Sequence, residues 1–332
     1  MTLMAIKIVT DSSSDIPRDL ARELDISIVP LYVRFGAVMY RDGVDIEPAQ
    51  FYEKLQHEPD HPATSSASPG DFAEMYEKLG RDSDGIVSIH VSSKLSATYE
   101  AALRGKQLVS DNKFPIEVVD SRLVTIALGL VAIAAAKAAA AGRGMQDTLD
   151  QIHQVIPAIR TYGMLDTLKY IARGGRFGKA GPLLGSVLPV RPLLTIKDGT
   201  LAPVGVSRTR VNGIERLLEL VRSVPGIQKI GISHSSVDDE IVAFVDKLKS
   251  FMPDVVPIVT KLGPALGAHG GPGTILVAMQ QEAGKAGVES EAGHRKLVNL
   301  PSMQSIKDSI LQRKQKDVAP YLSYELPPAA VI

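Results

Sequence analysis

Three observations predict an α/β fold in two units. Short apolar runs alternate with amphipathic stretches over residues 1–160, the βαβ pattern of a mostly parallel sheet. A second alternation of strand and helix signals follows Tyr162 and contains a hairpin signal at Asp198-Gly199, so this half reads as a mixed α/β unit. The chain has 332 residues, enough for two cores of about 150 residues each.

The elements follow in order. Ile6–Val9 is a strand that runs into the polar cluster Thr10-Asp11-Ser12-Ser13. Pro17–Leu24 reads as a helix with Asp15 as its N-cap. Ile26–Leu31 is a strand, and Val33–Val44 alternates as a hairpin that turns at Arg41-Asp42-Gly43. Asp71–Leu79 and Ala97–Val109 are helical, and the strands Ile86–Val91 and Ile116–Val119 accompany them. Val124–Ala141 is alanine-rich and carries Lys137, so it reads as a buried core helix rather than a membrane span. Met145–Ala158 is a further helix. Leu165–Ile171 reads as a short helix broken by Gly174-Gly175.

Pro192–Ile196 and Leu201–Val206 form the hairpin, Thr209–Val224 an amphipathic helix, Lys229–Ser233 a strand, Asp238–Phe251 a helix and Val255–Val259 a strand. Thr274–Met279 is either a last strand or the start of a helix. The first unit is assigned to 1–160, the second to 161–280, and 281–332 to a polar extension of open role. In that extension Glu282–Glu291 reads as a linker or frayed helix, Ile306–Lys316 as a helix and Leu326–Ile332 as a loose tail.

Composition excludes several functions. Lys+Arg and Asp+Glu are both 37, so the balanced surface offers no long-range attraction to phosphate backbones or anionic bilayers. There is no tryptophan and aromatic content is 5%, which disfavours base stacking. The chain has no cysteine, so disulfides, thiolate metal sites and cysteine nucleophiles are ruled out. The N-terminus lacks a basic region followed by a long apolar run, so a cytoplasmic location is expected. The seven histidines show no metal-binding spacing, and no metal site is expected. Dinucleotide, Walker A and Gly-x-Ser-x-Gly motifs are also missing.

The most informative stretch is Leu262–Gly273, Leu-Gly-Pro-Ala-Leu-Gly-Ala-His-Gly-Gly-Pro-Gly. It reads as a loop that presents His269 at short range, since glycine tolerates close backbone approach and proline fixes φ. Three hydroxyl clusters follow strands or precede helices: Thr10–Ser13, Thr64–Ser68 and Ser92–Thr98. Ligands in open α/β sheets bind beyond the carboxyl ends of strands. Each cluster also has a plain structural reading. Ser68 with Pro69 and Asp71 makes a competent helix start, and Ser96 could cap the helix after it. Arg173-Gly174-Gly175-Arg176 puts two cations around a flexible pair, to hold an anion or to pair with acids such as Asp166. His90, inside a strand, reads as a satisfied core residue, and His234 ends a strand near a cleft. A polar head site on an aliphatic-rich chain suits a ligand with one anionic end and a long apolar body.

Together these motifs resemble the DegV family, the fatty-acid-binding (FakB-type) subunits of bacterial fatty acid kinase. The matching pieces are Val9-Thr10-Asp11-Ser12-Ser13-Ser14-Asp15, Thr64-Ser65-Ser66-Ala67-Ser68-Pro69, Ser92 to Tyr99, Gly174-Gly175-Arg176 and Gly263 to Gly273. They keep the family's order over about residues 5–280. The resemblance implies a two-domain DegV-like (EDD-type) fold that holds one long-chain fatty acid, its tail in the second domain and its carboxylate at the junction. It implies carboxylate-binding roles for Thr64, Ser96 and His269, and also for Ser93 and Arg176. It implies no resident cofactor and no catalytic residue. The implied partner is an ATP-binding kinase subunit that phosphorylates the acid for phospholipid synthesis; transient membrane contact is allowed, and nucleic acid is not expected. Where the family usually has Thr-Ser-Gln-Pro-Ser this chain has Thr64-Ser65-Ser66-Ala67-Ser68, and Ala97 stands where the family usually has glycine.

Burying about 15 methylenes at about 0.8 kcal/mol each gives a gross term near 12 kcal/mol, much of it offset by ordering and association. The carboxylate needs hydrogen-bond donors, because an unpaired charge in a dry site is costly. The rival reading is an enzyme on a small phosphorylated or carbonyl substrate with His269 as nucleophile or base.

Overall fold

The computed structural model describes residues 6–109, 114–176, 190–235 and 238–282. The expectations for 283–332, including the helix at 306–316 and the tail, lie outside them.

The first sheet has four parallel strands: β1 (Ile6–Asp11), β2 (Ile26–Val29), β6 (Gly85–His90) and β7 (Ile116–Asp120), in the order β2-β1-β6-β7. Every residue of β6 is buried, as expected of a central parallel strand covered on both faces. One face packs on α3 (Pro69–Gly80) and α4 (Thr98–Leu108) through Val9, Ile86, Phe72 and Ala102. Ser68 caps α3 and Pro69 takes its first position, as the sequence predicts.

The other face packs on α5 (Ile126–Ala140) and α6 (Met145–Ala158). Helix α5 is apolar on all sides, so it must be enclosed on all sides. It is buried except at Lys137 and Ala140, and it lies between the first sheet and a second one.

That second sheet has six strands in the order β10-β9-β8-β13-β11-β12: β8 (Ile159–Met164), β9 (Arg191–Lys197), β10 (Thr200–Ser207), β11 (Ile227–His234), β12 (Ile258–Lys261) and β13 (Ile275–Gln281). All pairings are antiparallel except β11 with β12. Tyr162, Met164, Ile232 and Val277 pack from one face onto α8 (Arg210–Arg222) and α9 (Asp238–Lys249). The opposite face meets α5 along β11 and β13, where Gly231 abuts Ile126. The fold is thus α/β, with a parallel sheet and a mixed sheet.

A small antiparallel sheet, β4 (Val38–Arg41), β3 (Tyr32–Phe35) and β5 (Ala63–Ser65), carries Thr64 opposite Val33. The hairpin turns at Gly36, whose φ is +54°, and not at Arg41-Asp42-Gly43. Asp15 does not cap α1 (Arg18–Glu23), whose N-cap is Pro17; it adopts φ +48° and turns its buried carboxylate toward the second half. Helix α2 (Pro48–His57) and strand β8 were not read from the sequence, the short helix is α7 (Lys169–Arg173), and Thr274–Met279 resolves as strand. The Leu262–Gly273 stretch is not a plain loop. Gly263 and Pro264 start a short helix, α10 (Pro264–Gly270), with His269 in its last turn.

Candidate functional site

A cavity of about 350 Å³ opens between the two sheets. Its polar end follows from topology. Because β1 and β6 run parallel, their carboxyl ends lie side by side, so Ser13 and the loop Val91–Ala97 converge on the cavity. Strand β5 adds Thr64 and Ser65, the residue after it adds Ser66, and α10 adds Ala265, Leu266 and His269. Its apolar wall is one face of the six-stranded sheet, with Leu165, Leu194, Ile196, Leu201 and Leu276. Side chains alternate across a strand, so Thr161, Gly163 and Leu165 face this cavity while Tyr162 and Met164 lie in the core behind it.

Two buried aspartate side chains dock α10. Asp15 accepts from the Gly263 amide at 2.9 Å and from Ser233 Oγ at 2.7 Å. Asp42 accepts from Ser12 Oγ at 2.8 Å and from the Ala265 amide at 3.3 Å. Burial pushes Asp15 up to about 8 and Asp42 up to about 7.

His269 meets Thr64 across the cavity's polar end, Nε2 to Oγ1 at 2.9 Å. Its Nδ1 has no hydrogen-bond partner among the described residues and is covered by Gly174, where a Cβ would fall 2.0 Å away. Glycine is needed at 174 for this close approach, not only as a helix stop. Burial, then the nearby Arg176 and His61, push His269 down to about 4, so it is neutral at neutral pH.

Ser96 lines the cavity, exchanges a hydrogen bond with Thr98 Oγ1 at 2.7 Å, and accepts weakly from the Thr98 amide at 3.3 Å. Arg176 lines the cavity as an exposed residue, donating from Nη1 to the Gly174 carbonyl at 2.8 Å. Asp166 does not pair with it; it holds Arg191 and Arg210 instead. The structure therefore brings Thr64, Ser96, His269 and Arg176 to one cavity. Ser93 is not among its lining residues: its exposed hydroxyl donates to Asp120 Oδ2 at 2.6 Å, because the first residues after β6 turn back toward the end of β7.

Behind Ser13 runs a buried hydrogen-bond chain. Asp11 accepts from Ser13 through both its amide and its hydroxyl, and from the Val91 amide at 3.0 Å. His90 Nδ1 lies 2.9 Å from Asp11, and His90 Nε2 lies 2.7 Å from Ser88, which also receives Tyr76 at 2.8 Å. His90 is thus the satisfied core residue the sequence suggests. Thr125 and Thr161 also line the cavity, and no sequence signal marked them. No group of three or more metal-ligating side chains is present among the described residues, and no helix among them is long and apolar enough to cross a membrane.

Comparison with known proteins places this geometry in context. A family model described as an uncharacterised protein family, DegV, matches residues 5–282. A DegV domain-containing protein of Caldanaerobacter subterraneus is 33% identical over 281 residues, 83% of this chain and 99% of the relative. Among solved structures, a fatty-acid-binding DegV family protein from Thermus thermophilus aligns with a TM-score of 0.78 at 30% identity, covering 84% of this chain and 100% of its own. DegV of Bacillus subtilis, described as a fatty acid binding protein, aligns with a TM-score of 0.77 at 28% identity over the same shares.

Proposed function

The chain belongs to the DegV family, and from that premise we propose that it binds one long-chain fatty acid and presents the carboxylate to a separate ATP-dependent kinase subunit for acyl phosphate formation. The observation that carries this reading is a single cavity with an aliphatic wall at one side and Thr64, Ser96 and His269 at the other. Thermus and Bacillus neighbours described as fatty acid binding support it.

The chemistry of the head group follows from hydrogen-bond accounting. A hydrogen on His269 Nδ1 would be a buried donor with no acceptor. A hydrogen on Nε2 donates instead to Thr64 Oγ1. The threonine's own O–H is then free to donate to a carboxylate. Ser96 supplies a second neutral donor, and Arg176 at the rim adds positive charge beside the site. A neutral grip suits a carboxylate that must remain reactive toward a phosphoryl donor, since a buried fork of arginine would quench it.

On this reading His269 acts through Thr64 and no residue of this chain is catalytic. The rival enzyme reading finds little room, since one imidazole nitrogen is engaged and the other covered. No cofactor is required. Residues 1–160 supply the head-group donors and 161–280 the tail wall, with the role of 281–332 unassigned. The protein works in the cytoplasm, with transient membrane contact when it collects its lipid.

Organic extraction of the purified full chain followed by mass spectrometry tests the ligand. A long-chain acid at about one per chain is expected by the one-cavity stoichiometry. An empty extract, together with no calorimetric binding of added oleate, would overturn the reading. Acyl phosphate formation on adding ATP and the kinase subunit of the same organism tests the partner.

A further inference from the structure

We propose that Gly163 fixes the length of acyl chain that the cavity admits, by letting the Leu276 side chain lie flat across it. The proposal rests on the fatty-acid reading above and concerns which acids that cavity selects.

Gly163 lies inside β8, on the cavity face of the sheet, directly opposite Leu276 of β13. Glycine inside a strand is unfavourable, and its presence there marks a close approach. Here the approaching group is identified. A Cβ on Gly163 would fall 2.2 Å from Leu276 Cδ2, while the next atoms, the Ile275 carbonyl oxygen and Leu276 Cγ, lie at 3.4 Å. The backbone therefore tolerates a methyl group at 163, and the obstacle is the far end of one mobile side chain.

Sheet backbone lies beneath that side chain, and the flanking strands β8 and β11 pair with β13 in register at this point, through Gly163 and Ser233. Open space lies toward the cavity, which Leu276 already lines. Adding a methyl at 163 thus lifts a leucine into the path of the ligand without building new bulk into a core.

The position along that path decides the consequence. Thr274, whose hydroxyl bonds the Gly270 carbonyl next to His269, precedes Leu276 by two residues at the start of β13. At about 3.3 Å per residue the pinch lies about 7 Å along the chain from Thr274. A lifted Leu276 obstructs a chain that must pass it and spares one that stops short.

The test compares stearate and butyrate binding by calorimetry on the full chain, stripped of lipid. Gly163→Ala is expected to weaken stearate by about tenfold or more and leave butyrate within about twofold of its own wild-type affinity. The double variant Gly163→Ala with Leu276→Ala is expected to recover stearate binding. Leu276→Phe, which adds bulk at the same point and leaves Gly163 intact, is expected to reproduce the stearate loss should Gly163→Ala fail to fold. Unchanged stearate affinity, equal loss of both acids, or no recovery in the double variant would each overturn the proposal while wild-type stearate binding still upheld the parent reading. A wild-type protein that binds neither acid would sink both.

Discussion

The four-stranded sheet meets the cavity with the ends of its strands, whereas the six-stranded sheet meets it with one face. Strand ends expose loops, free amides and the residues that satisfy them, so this side of the cavity collects Ser13, Thr64 from the adjoining small sheet, Ser96 and the buried Asp11 chain. A sheet face exposes alternate side chains and no unpaired backbone, so the other side can be largely aliphatic, with Thr161 and Thr195 among its leucines and Ile196. The comparison teaches how one cavity can be polar at one side and oily at the other: each side is made by a different part of a sheet.

The comparison breaks most visibly at Asp11. Its carboxylate is completely buried and joins Ser13, His90 and the Val91 amide. Asp11→Ala strands these donors and is expected to cost about 3–5 kcal/mol in urea-unfolding free energy. A loss below about 1 kcal/mol would mean that the strand ends are not held by this network.

On the sheet face the expected effect is smaller and of another kind. Leu194 packs with Leu165 and Ile171 and also lines the cavity. Leu194→Ala is expected to cost about 2–4 kcal/mol of stability, measured in the same way.

Ser96→Ala sharpens the contrast, because the head-group donor proposed at this position would contribute to binding rather than to folding. About tenfold weaker binding of oleate with an unchanged unfolding midpoint is expected, near 1.4 kcal/mol. Undiminished copurifying lipid would remove Ser96 from the head site.

pH dependence is read as a slope rather than as a single loss. Asp15 and Asp42 are pushed up, to about 8 and about 7, so the folded chain keeps protons that the unfolded chain has released. Stability from this source is complete below about pH 4 and declines as pH rises through 7 and 8. His269, pushed down to about 4, works in the opposite sense: its contribution is intact above its ordinary value of 6.5 and is lost as pH falls toward 4. Between pH 6.5 and about 8 the two acids dominate, with a slope of up to about 1.4 kcal/mol per pH unit each. Asp15→Asn mimics the protonated form and is expected to flatten that decline; an equally steep decline in the variant would assign it elsewhere.

Much of this protein was legible as text. The βαβ alternation, the hairpin at Asp198-Gly199, the enclosure of α5 and the capping of α3 by Ser68 all follow from local rules of period, turn chemistry and polarity. Those rules act over a few residues, so a single chain displays them. Two of the elements that escaped are short or ambiguous: β5 has three residues, and β8 continues directly from α6 with no turn signal between them. Asp15 was misread because a helix cap and a left-handed buried carboxylate share the same letters, and only its distant partners Ser233 and Gly263 tell them apart.

The polar residues Thr64, Ser96 and His269 could be nominated from the sequence, but their meeting could not. Thr64 and His269 are separated by 205 positions and joined by a 2.9 Å hydrogen bond. Ser93 shows the converse, a plausible hydroxyl that the turn after β6 hands to Asp120 instead. Local chemistry determined which side chains were available. Which of them share a cavity was decided by how two sheets pack around α5, because that packing depends on contacts between segments that no local pattern encodes.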